Sequence, residues 1–168
     1  LATDNNPRRL HDAKLRARRA GLGNIQVTSD AAVVTQHAPY GLVLVDAPCS
    51  SSGTLRRNPD VGARWDEAAI IRLAEKQAAI LDRAAELVRP GGLLVYATCS
   101  LLPRENEEQA AAFAARHPEF VPAPPGDRAA HAAFAGVPDK PRGWFRLAAN
   151  LPDYCGDAFF VARWRRGR

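Results

Sequence analysis

Residues 41–53 read GLVLVDAPCSSSG, and residues 93–100 read LLVYATCS. In both stretches a continuous apolar run is followed by small and polar residues. Such a run predicts a strand covered on both faces, as in a parallel sheet flanked by helices, and the residues after it predict a loop. Between the two stretches, Asp66 can cap a helix whose apolar residues recur at helical spacing as far as Val88, where residues 90–92 end it. The sequence therefore predicts a strand–helix–strand unit of an open α/β sheet.

Short strands are also predicted near the N-terminus, at residues 1–3 and 25–28, with a basic helix between them that Asn6 and Pro7 begin. Each predicted strand is followed by polar residues. Because ligands of open α/β sheets bind at the carboxyl ends of the strands, these residues predict a site. They are Asp4, Asp30, residues 46–53 and residues 98–100.

The second half of the chain predicts one more helix and a closing pair of strands. Residues 145–147 and 159–162 predict an antiparallel hairpin at the sheet edge, followed by a basic tail, and the Pro-, Gly- and Ala-rich residues 121–142 predict a long loop. The helix begins near Pro103, ends near His117 and carries acidic residues that suit its N-terminus: Glu105, Glu107 and Glu108.

Composition narrows the class of protein. The 168 residues fit one domain, and 46% hydrophobic with 24% charged residues is typical of a globular chain. No apolar run reaches the roughly 20 residues of a membrane helix, so we expect no membrane partner. The three cysteines exclude a disulfide framework and favour a cytoplasmic location. A net charge of +5 favours polyanionic partners.

Cys49 and Cys99 follow the two strands of the predicted unit. If these strands are neighbours, about 4.8 Å apart, both thiols face one crevice, where a functional pair could act on one substrate atom. Buried, inert thiols and a disulfide are the alternatives. We expect no metal, because no CxxC pair exists and His37, His117 and His131 are assigned to helix ends or loops.

Several motifs carry a family resemblance. Residues 45–50 (VDAPCS) and 96–100 (YATCS) resemble the two signature motifs of the RNA cytosine-5 methyltransferases of the Sun (Fmu) type. Residues 56–60, 103–107 and 156–160 are similar to the same family, so the resemblance runs along essentially the whole chain. It implies a Rossmann-like, S-adenosylmethionine-dependent methyltransferase fold, with a mostly parallel sheet and an antiparallel C-terminal hairpin. It also implies an RNA substrate, ribosomal RNA first and transfer RNA second.

The resemblance implies a role for each residue of the two motifs. Cys99 would attack carbon-6 of cytosine, Asp46 would act at ring nitrogen N3, and Cys49 would assist release of the enzyme after methyl transfer. In DNA cytosine-5 methyltransferases the cysteine of a Pro-Cys motif attacks instead. That rival assignment makes Cys49 the nucleophile, whereas the Thr-Cys-Ser motif favours Cys99.

Cofactor and RNA contacts are implied in the same way. Asp4 resembles the acid that holds the cofactor ribose, and Asp30 resembles the residue that meets the adenine amino group. An Asp after a strand is otherwise a helix cap or turn former. Arg56 and Arg57 are candidates for RNA phosphates, although such arginines are more often solvated. Asp46 and Pro48 complete the predicted cofactor contacts.

The chain departs from the family pattern at several points. The loop after Cys49 has Ser51 and Ser52 where the family usually has a glycine soon after Cys-Ser, and Cys155, a spectator, stands where a His is common. The glycine-rich cofactor loop is not found, and the chain has no Met. We therefore expect residues 1–168 to be the C-terminal portion of one catalytic domain, inactive alone, lacking its first strand and the upstream RNA-binding domain.

Other functions remain open from the sequence. A non-catalytic RNA-binding homologue would be expected to lose one or both thiols, and both are present. Methyltransferases acting on protein or small molecules often carry an Asn/Asp-Pro-Pro-Tyr motif after the same strand, where this chain has Asp-Ala-Pro-Cys. A cysteine hydrolase would need a nearby His as base.

Overall fold

A computed structural model describes residues 1–123, 143–147 and 156–168. These residues form two compact units, Leu1–Pro39 and Tyr40–Arg168. Residues 124–142, which make up most of the predicted loop, lie outside the described part of the chain, as do His131 and Cys155. Within the described ranges, no helix is long and apolar enough to cross a membrane.

The first unit is a small α/β arrangement. Strand β1 (Ala2–Thr3) pairs in parallel with β2 (Val27–Thr28), and helix α1 (Pro7–Arg19) lies between them in the chain. The Asn6 side chain accepts a hydrogen bond from the backbone N–H of Arg8, which confirms the predicted start of α1. The short helix α2 (Ala31–Gln36) was not predicted.

The second unit is built on a five-stranded mixed sheet. The strands are β3 (Tyr40–Asp46), β4 (Val88–Thr98), β5 (Phe120–Pro122), β6 (Trp144–Leu147) and β7 (Phe159–Arg166). The order is β3-β4-β7-β5, with β6 also on β7. The predicted parallel pairing of β3 with β4 is confirmed, and so is the antiparallel pairing of β6 with β7. Strand β7 also pairs antiparallel with β4 and with β5, so among the described strands this sheet is mixed and not mostly parallel as predicted.

The helices of this unit follow their sequence signals closely. Helix α3 (Glu67–Glu86) is capped by the Asp66 carboxylate, which accepts from the N–H of Ala69 at 2.5 Å. Helix α4 (Glu107–Arg116) follows a 3₁₀ turn, Pro103–Glu105. Two further 3₁₀ turns, Ser52–Thr54 and Pro59–Arg64, lie between β3 and α3.

Several predicted ends of helices, strands and loops are wrong for the same reason. In each case the residues pair with a strand that is distant in the sequence. Val88 belongs to β4 and not to α3, because it pairs with Tyr40. Residues 121–122 are strand and not loop, because they pair with β7. The predicted basic tail is strand as far as Arg166, because β7 lies between β4 and β5 and not at the sheet edge.

Among the described residues the core lies on one side of β3, and the predicted cover of the other face is not present there. Val45 is buried and Val43 packs against the core, whereas Leu42 and Leu44 are 56% and 62% exposed. Successive side chains of a strand point to opposite faces, so the outward pair stays open to solvent. The core itself joins the sheet to α3 and α4 through Leu81, Leu94, Tyr96, Phe113, Phe160 and Trp164.

Candidate active site

The two cysteines lie in loops at the carboxyl ends of neighbouring parallel strands. Asp46, the last residue of β3, is in register with Ala97 of β4, and the N–H of Ala47 donates to the carbonyl of Ala97 at 2.9 Å. The chain then leads to Cys49 on one side and Cys99 on the other. Their Sγ atoms are 3.5 Å apart, and both thiols are free. The predicted convergence of these cysteines is therefore confirmed, and the disulfide alternative is wrong.

The environment of the two thiols separates their protonation states. A hydrogen bond from Cys49 lowers the pKa of Cys99 to about 6, against the opposing effect of burial. The same hydrogen bond and burial raise the pKa of Cys49. These opposite shifts favour Cys99 as the thiolate of the pair and Cys49 as the thiol that donates to it. A thiolate is the nucleophilic form of cysteine, so the pair offers one nucleophile with a protonated neighbour.

The loop after Cys49 adds a second donor to Cys99. Ser51 has a left-handed backbone, with φ of 59°, a conformation that favours glycine. Its side chain hydrogen-bonds to Cys99 and helps to lower the pKa of that thiol. In this loop the family usually has a glycine soon after Cys-Ser. Ser51 therefore supplies a hydroxyl group that a glycine would lack.

Gly53 permits the close approach of three chain segments. Its N–H donates to the carbonyl of Cys99 at 2.8 Å, and its carbonyl accepts from Ala158 at 2.9 Å. A Cβ atom at Gly53 would lie 2.7 Å from the Ala158 oxygen and 2.9 Å from the Cys99 oxygen. These distances are too short for a methyl group, so only glycine allows the cysteine loops to meet β7 here.

Sequence reasoning missed the buried role of Glu105. It predicted only an acid that suits a helix N-terminus, whereas the side chain is fully buried. Its carboxylate accepts from the N–H of Ser50 at 2.9 Å, from the Ser50 hydroxyl at 2.6 Å and from the Ser100 hydroxyl at 2.5 Å. Ser50 follows Cys49 and Ser100 follows Cys99, so one carboxylate contacts both cysteine loops. A buried polar group is costly unless it is hydrogen-bonded, and these donors meet that requirement.

Asp46 and Pro48 flank the thiol pair on the β3 side. Asp46 is exposed, and its charge raises the pKa of Cys99, opposing the donors. The Pro48 carbonyl accepts from the side-chain amide of Gln77 at 2.9 Å, which ties this rigid turn to α3. The structure thus brings Asp46, Cys49 and Cys99 together, as the sequence predicted.

Asp4 and Asp30 belong to the first unit, Leu1–Pro39. Asp4 accepts from the N–H of Asn6 at 2.7 Å and lies 3.5 Å from Arg9. Asp30 caps α2 by accepting from the N–H of Ala32 at 2.8 Å. The turn and cap roles that were the alternatives are therefore present. The predicted cofactor contacts of these two residues stay predictions.

The two arginines predicted to bind phosphates differ in their contacts. Arg57 forms an ion pair with Asp157 at 2.6 Å, and Arg56 is exposed. As for metal ligands, the described residues contain no group of three or more His, Cys, Asp or Glu side chains that could hold an ion. His117 ends α4, where it lies 2.9 Å from Asp82.

Solved structures define the class of fold. The chain resembles the crystal structure of NSun6 from Pyrococcus horikoshii with SFG, with a TM-score of 0.74 and 26% identity over 99% of this chain and 41% of that one. It also resembles a methyltransferase homolog protein from the same organism, with a TM-score of 0.72 and 26% identity over 98% of this chain and 52% of the other. The predicted Rossmann-like α/β methyltransferase fold is confirmed.

The family follows from the sequence match. Residues 1–165 match the family described as 16S rRNA methyltransferase RsmB/F, and the chain belongs to that family. Among its relatives is ribosomal RNA small subunit methyltransferase B of Klebsiella pneumoniae (strain 342), 42% identical over 125 residues, which are 74% of this chain. The chain spans about a quarter (26%) of that relative's length.

Proposed function

We propose that this chain carries the reacting residues of an enzyme that methylates carbon-5 of cytosine in RNA, with S-adenosylmethionine as methyl donor. The observation that carries the proposal is the 3.5 Å approach of the Cys49 and Cys99 sulfur atoms, and the lowered pKa of Cys99 supports it. Family membership supports a methyltransferase, and the naming of relatives for the small ribosomal subunit supports ribosomal RNA as substrate. Transfer RNA is the second candidate.

Carbon-5 of cytosine is a weak nucleophile. Its methylation therefore requires an enzyme nucleophile that first adds to the ring. The Cys99 thiolate attacks carbon-6, forming a C–S bond and moving electron density to carbon-5. Asp46 hydrogen-bonds to ring nitrogen N3 or protonates it, because charge develops there during the attack. S-adenosylmethionine supplies an electrophilic methyl group to carbon-5. Carbon-5 then passes its proton to solvent water with assistance from Cys49. The electron pair of that C–H bond re-forms the ring double bond as the C–S bond breaks and returns the thiolate of Cys99.

The order of the two thiol pKa values supports Cys99 over Cys49 as the nucleophile. Cys99 has its pKa lowered to about 6, whereas that of Cys49 is raised. A nucleophile must be deprotonated at working pH, and Cys49 is the protonated partner. The same feature disfavours a non-catalytic RNA-binding role, because packing alone does not require a stabilised thiolate.

The cofactor contacts are proposed from carboxylates that have the right chemistry. Asp4 is partly exposed and Asp30 exposed. Each can accept hydrogen bonds beyond those from its own turn, because a carboxylate offers about four lone-pair sites. Ribose hydroxyls and an adenine amino group are donors of the required kind. The crystal structure of NSun6 with SFG, an analogue of S-adenosylmethionine, supports this cofactor class.

The test uses the protein in its native length with labelled S-adenosylmethionine and either ribosomal or transfer RNA. We expect Cys99→Ala to abolish methylation and adduct formation, and Cys49→Ala to trap a covalent protein–RNA adduct on a denaturing gel. Cys155→Ala is the matched control and should behave as wild type. An adduct that forms with Cys99→Ala but not with Cys49→Ala would reverse the roles of the two thiols. No methylation of either RNA by the wild type would contradict the function.

A further inference from the structure

Glu105 lies at the centre of a buried cluster of polar side chains that contact the loops of the two cysteines. Besides Ser50 and Ser100, its carboxylate accepts from the side-chain amide of Gln77 on α3 at 3.0 Å. The same Gln77 amide donates to the carbonyl of Pro48, the residue before Cys49. Glu105 and Gln77 therefore hold the chain on both sides of Cys49.

The Cys99 loop is held in the same way by the neighbouring residue. The side-chain amide of Asn106 donates to the carbonyl of Ser100 at 2.8 Å, and its oxygen accepts from the Thr98 hydroxyl at 2.6 Å. Thr98 and Ser100 flank Cys99. The Glu105–Asn106 pair thus contacts the residues on both sides of Cys99 as well.

This pair is itself fixed to the core. The hydroxyl of the fully buried Tyr96 donates to the backbone carbonyl of Glu105 at 2.7 Å. Tyr96 lies on β4, two residues before Thr98, so the cluster is anchored to the strand that carries Cys99. The Glu105 carboxylate therefore joins the two loops through its hydrogen bonds to Ser50 and Ser100.

We propose that Glu105 is a positioning residue that sets the separation of the Cys49 and Cys99 sulfur atoms, by holding Ser50 and Ser100 on one buried carboxylate. It touches neither thiol and acts through the two serines. Its importance for methylation rests on the function proposed above, but its effect on the thiol pair does not. If the loops part, Cys99 loses the hydrogen bond from Cys49 that stabilises its thiolate.

The experiment measures the pH dependence of Cys99 alkylation by iodoacetamide, followed by mass spectrometry of the Cys99 peptide, in the protein at its native length. Glu105→Gln keeps the size of the side chain, and Glu105→Ala removes it. We expect both to move the alkylation midpoint upward from about 6 toward the ordinary value of 9.0, with the larger shift for Glu105→Ala. Glu108→Gln is the matched control, because Glu108 is an exposed acid on α4.

A double-mutant cycle that combines Glu105→Gln with Cys49→Ala distinguishes a positioning role of Glu105 from a general loosening of the fold. The groups that face Cys99 are Cys49, the Ser51 hydroxyl and the Asp46 carboxylate. Without Cys49 the thiol–thiol hydrogen bond is gone, so Glu105→Gln should add little further shift. An unchanged midpoint in Glu105→Gln would overturn the proposal, as would an equal shift in the presence and absence of Cys49. Neither RNA nor methyl donor is needed, so failure of the methylation assay leaves this result intact.

Discussion

At the residue scale, the chemistry of this chain depends on the groups that surround the sulfur atom of Cys99 and set its protonation state. Cys99 has donors in Cys49 and Ser51, and Asp46 opposes them with its charge. With a pKa of about 6, its thiolate fraction is high at pH 7 and falls as the pH drops through 6. The geometry of two loops therefore decides whether the nucleophile is available.

Replacing Ser51 by glycine should make the fold more stable and, at the same time, make the thiol of Cys99 less acidic. Its φ of 59° is costly for a residue with a Cβ, so Ser51→Gly should stabilise the fold by about 0.5–1 kcal/mol, after the greater chain entropy of glycine in the unfolded state is deducted. The same change removes the hydroxyl that hydrogen-bonds to Cys99, so the pKa of Cys99 should rise. Urea unfolding and the alkylation midpoint of Cys99 measure the two effects.

The matched control for this substitution is Ser51→Ala. It removes the same hydroxyl but keeps the Cβ in the left-handed conformation, so it should raise the pKa of Cys99 without stabilising the fold. Equal stabilities of the glycine and alanine variants would contradict the strain assigned to Ser51. An unchanged alkylation midpoint in both would contradict the hydrogen bond to Cys99.

At the element scale, helix α3 forms one wall of the site and depends on its cap. The Asp66 carboxylate satisfies the N–H of Ala69, and the preceding Trp65 donates its indole N–H to the carbonyl of Ser50 at 2.9 Å. Asp66→Ala should cost about 1 kcal/mol of stability, because it leaves an amide at the helix start without its partner. Chemical denaturation measures the loss. Glu67→Ala, at the next and exposed position, should cost less, and equal losses would argue against the cap.

The elements also show what local sequence can and cannot predict. Strands β3 and β4 and helix α3 follow from apolar spacing and a cap, which are local signals. The strand state of Val88, Pro122 and Arg163 depends on partners 40 or more residues away, which local patterns do not report. The convergence of Cys49 and Cys99 was predictable because parallel neighbours share one edge. The burial of Glu105 was not, because Ser50 lies 55 residues away in the sequence.

At the scale of the whole sheet, the last strand holds the second unit together. Strand β7 pairs with β4, β5 and β6, so the C-terminal residues complete a sheet whose first strand begins at Tyr40. The same strand reaches the site, since Ala158, just before it, donates to the carbonyl of Gly53. Loosening β7 should therefore affect the cysteine loops as well as overall stability.

Two adjacent phenylalanines on β7 separate core packing from surface exposure. Phe160 is fully buried, with its ring centroid 6.4 Å from that of Tyr96 and 5.5 Å from that of Trp144, whereas Phe159 is 37% exposed on the opposite face. Phe160→Ala should cost about 3–5 kcal/mol, through lost burial and a cavity in the core. Phe159→Ala should cost about 1 kcal/mol or less. Urea denaturation followed by near-ultraviolet circular dichroism compares them, and similar losses for the two variants would contradict the placement of the core on the Phe160 face.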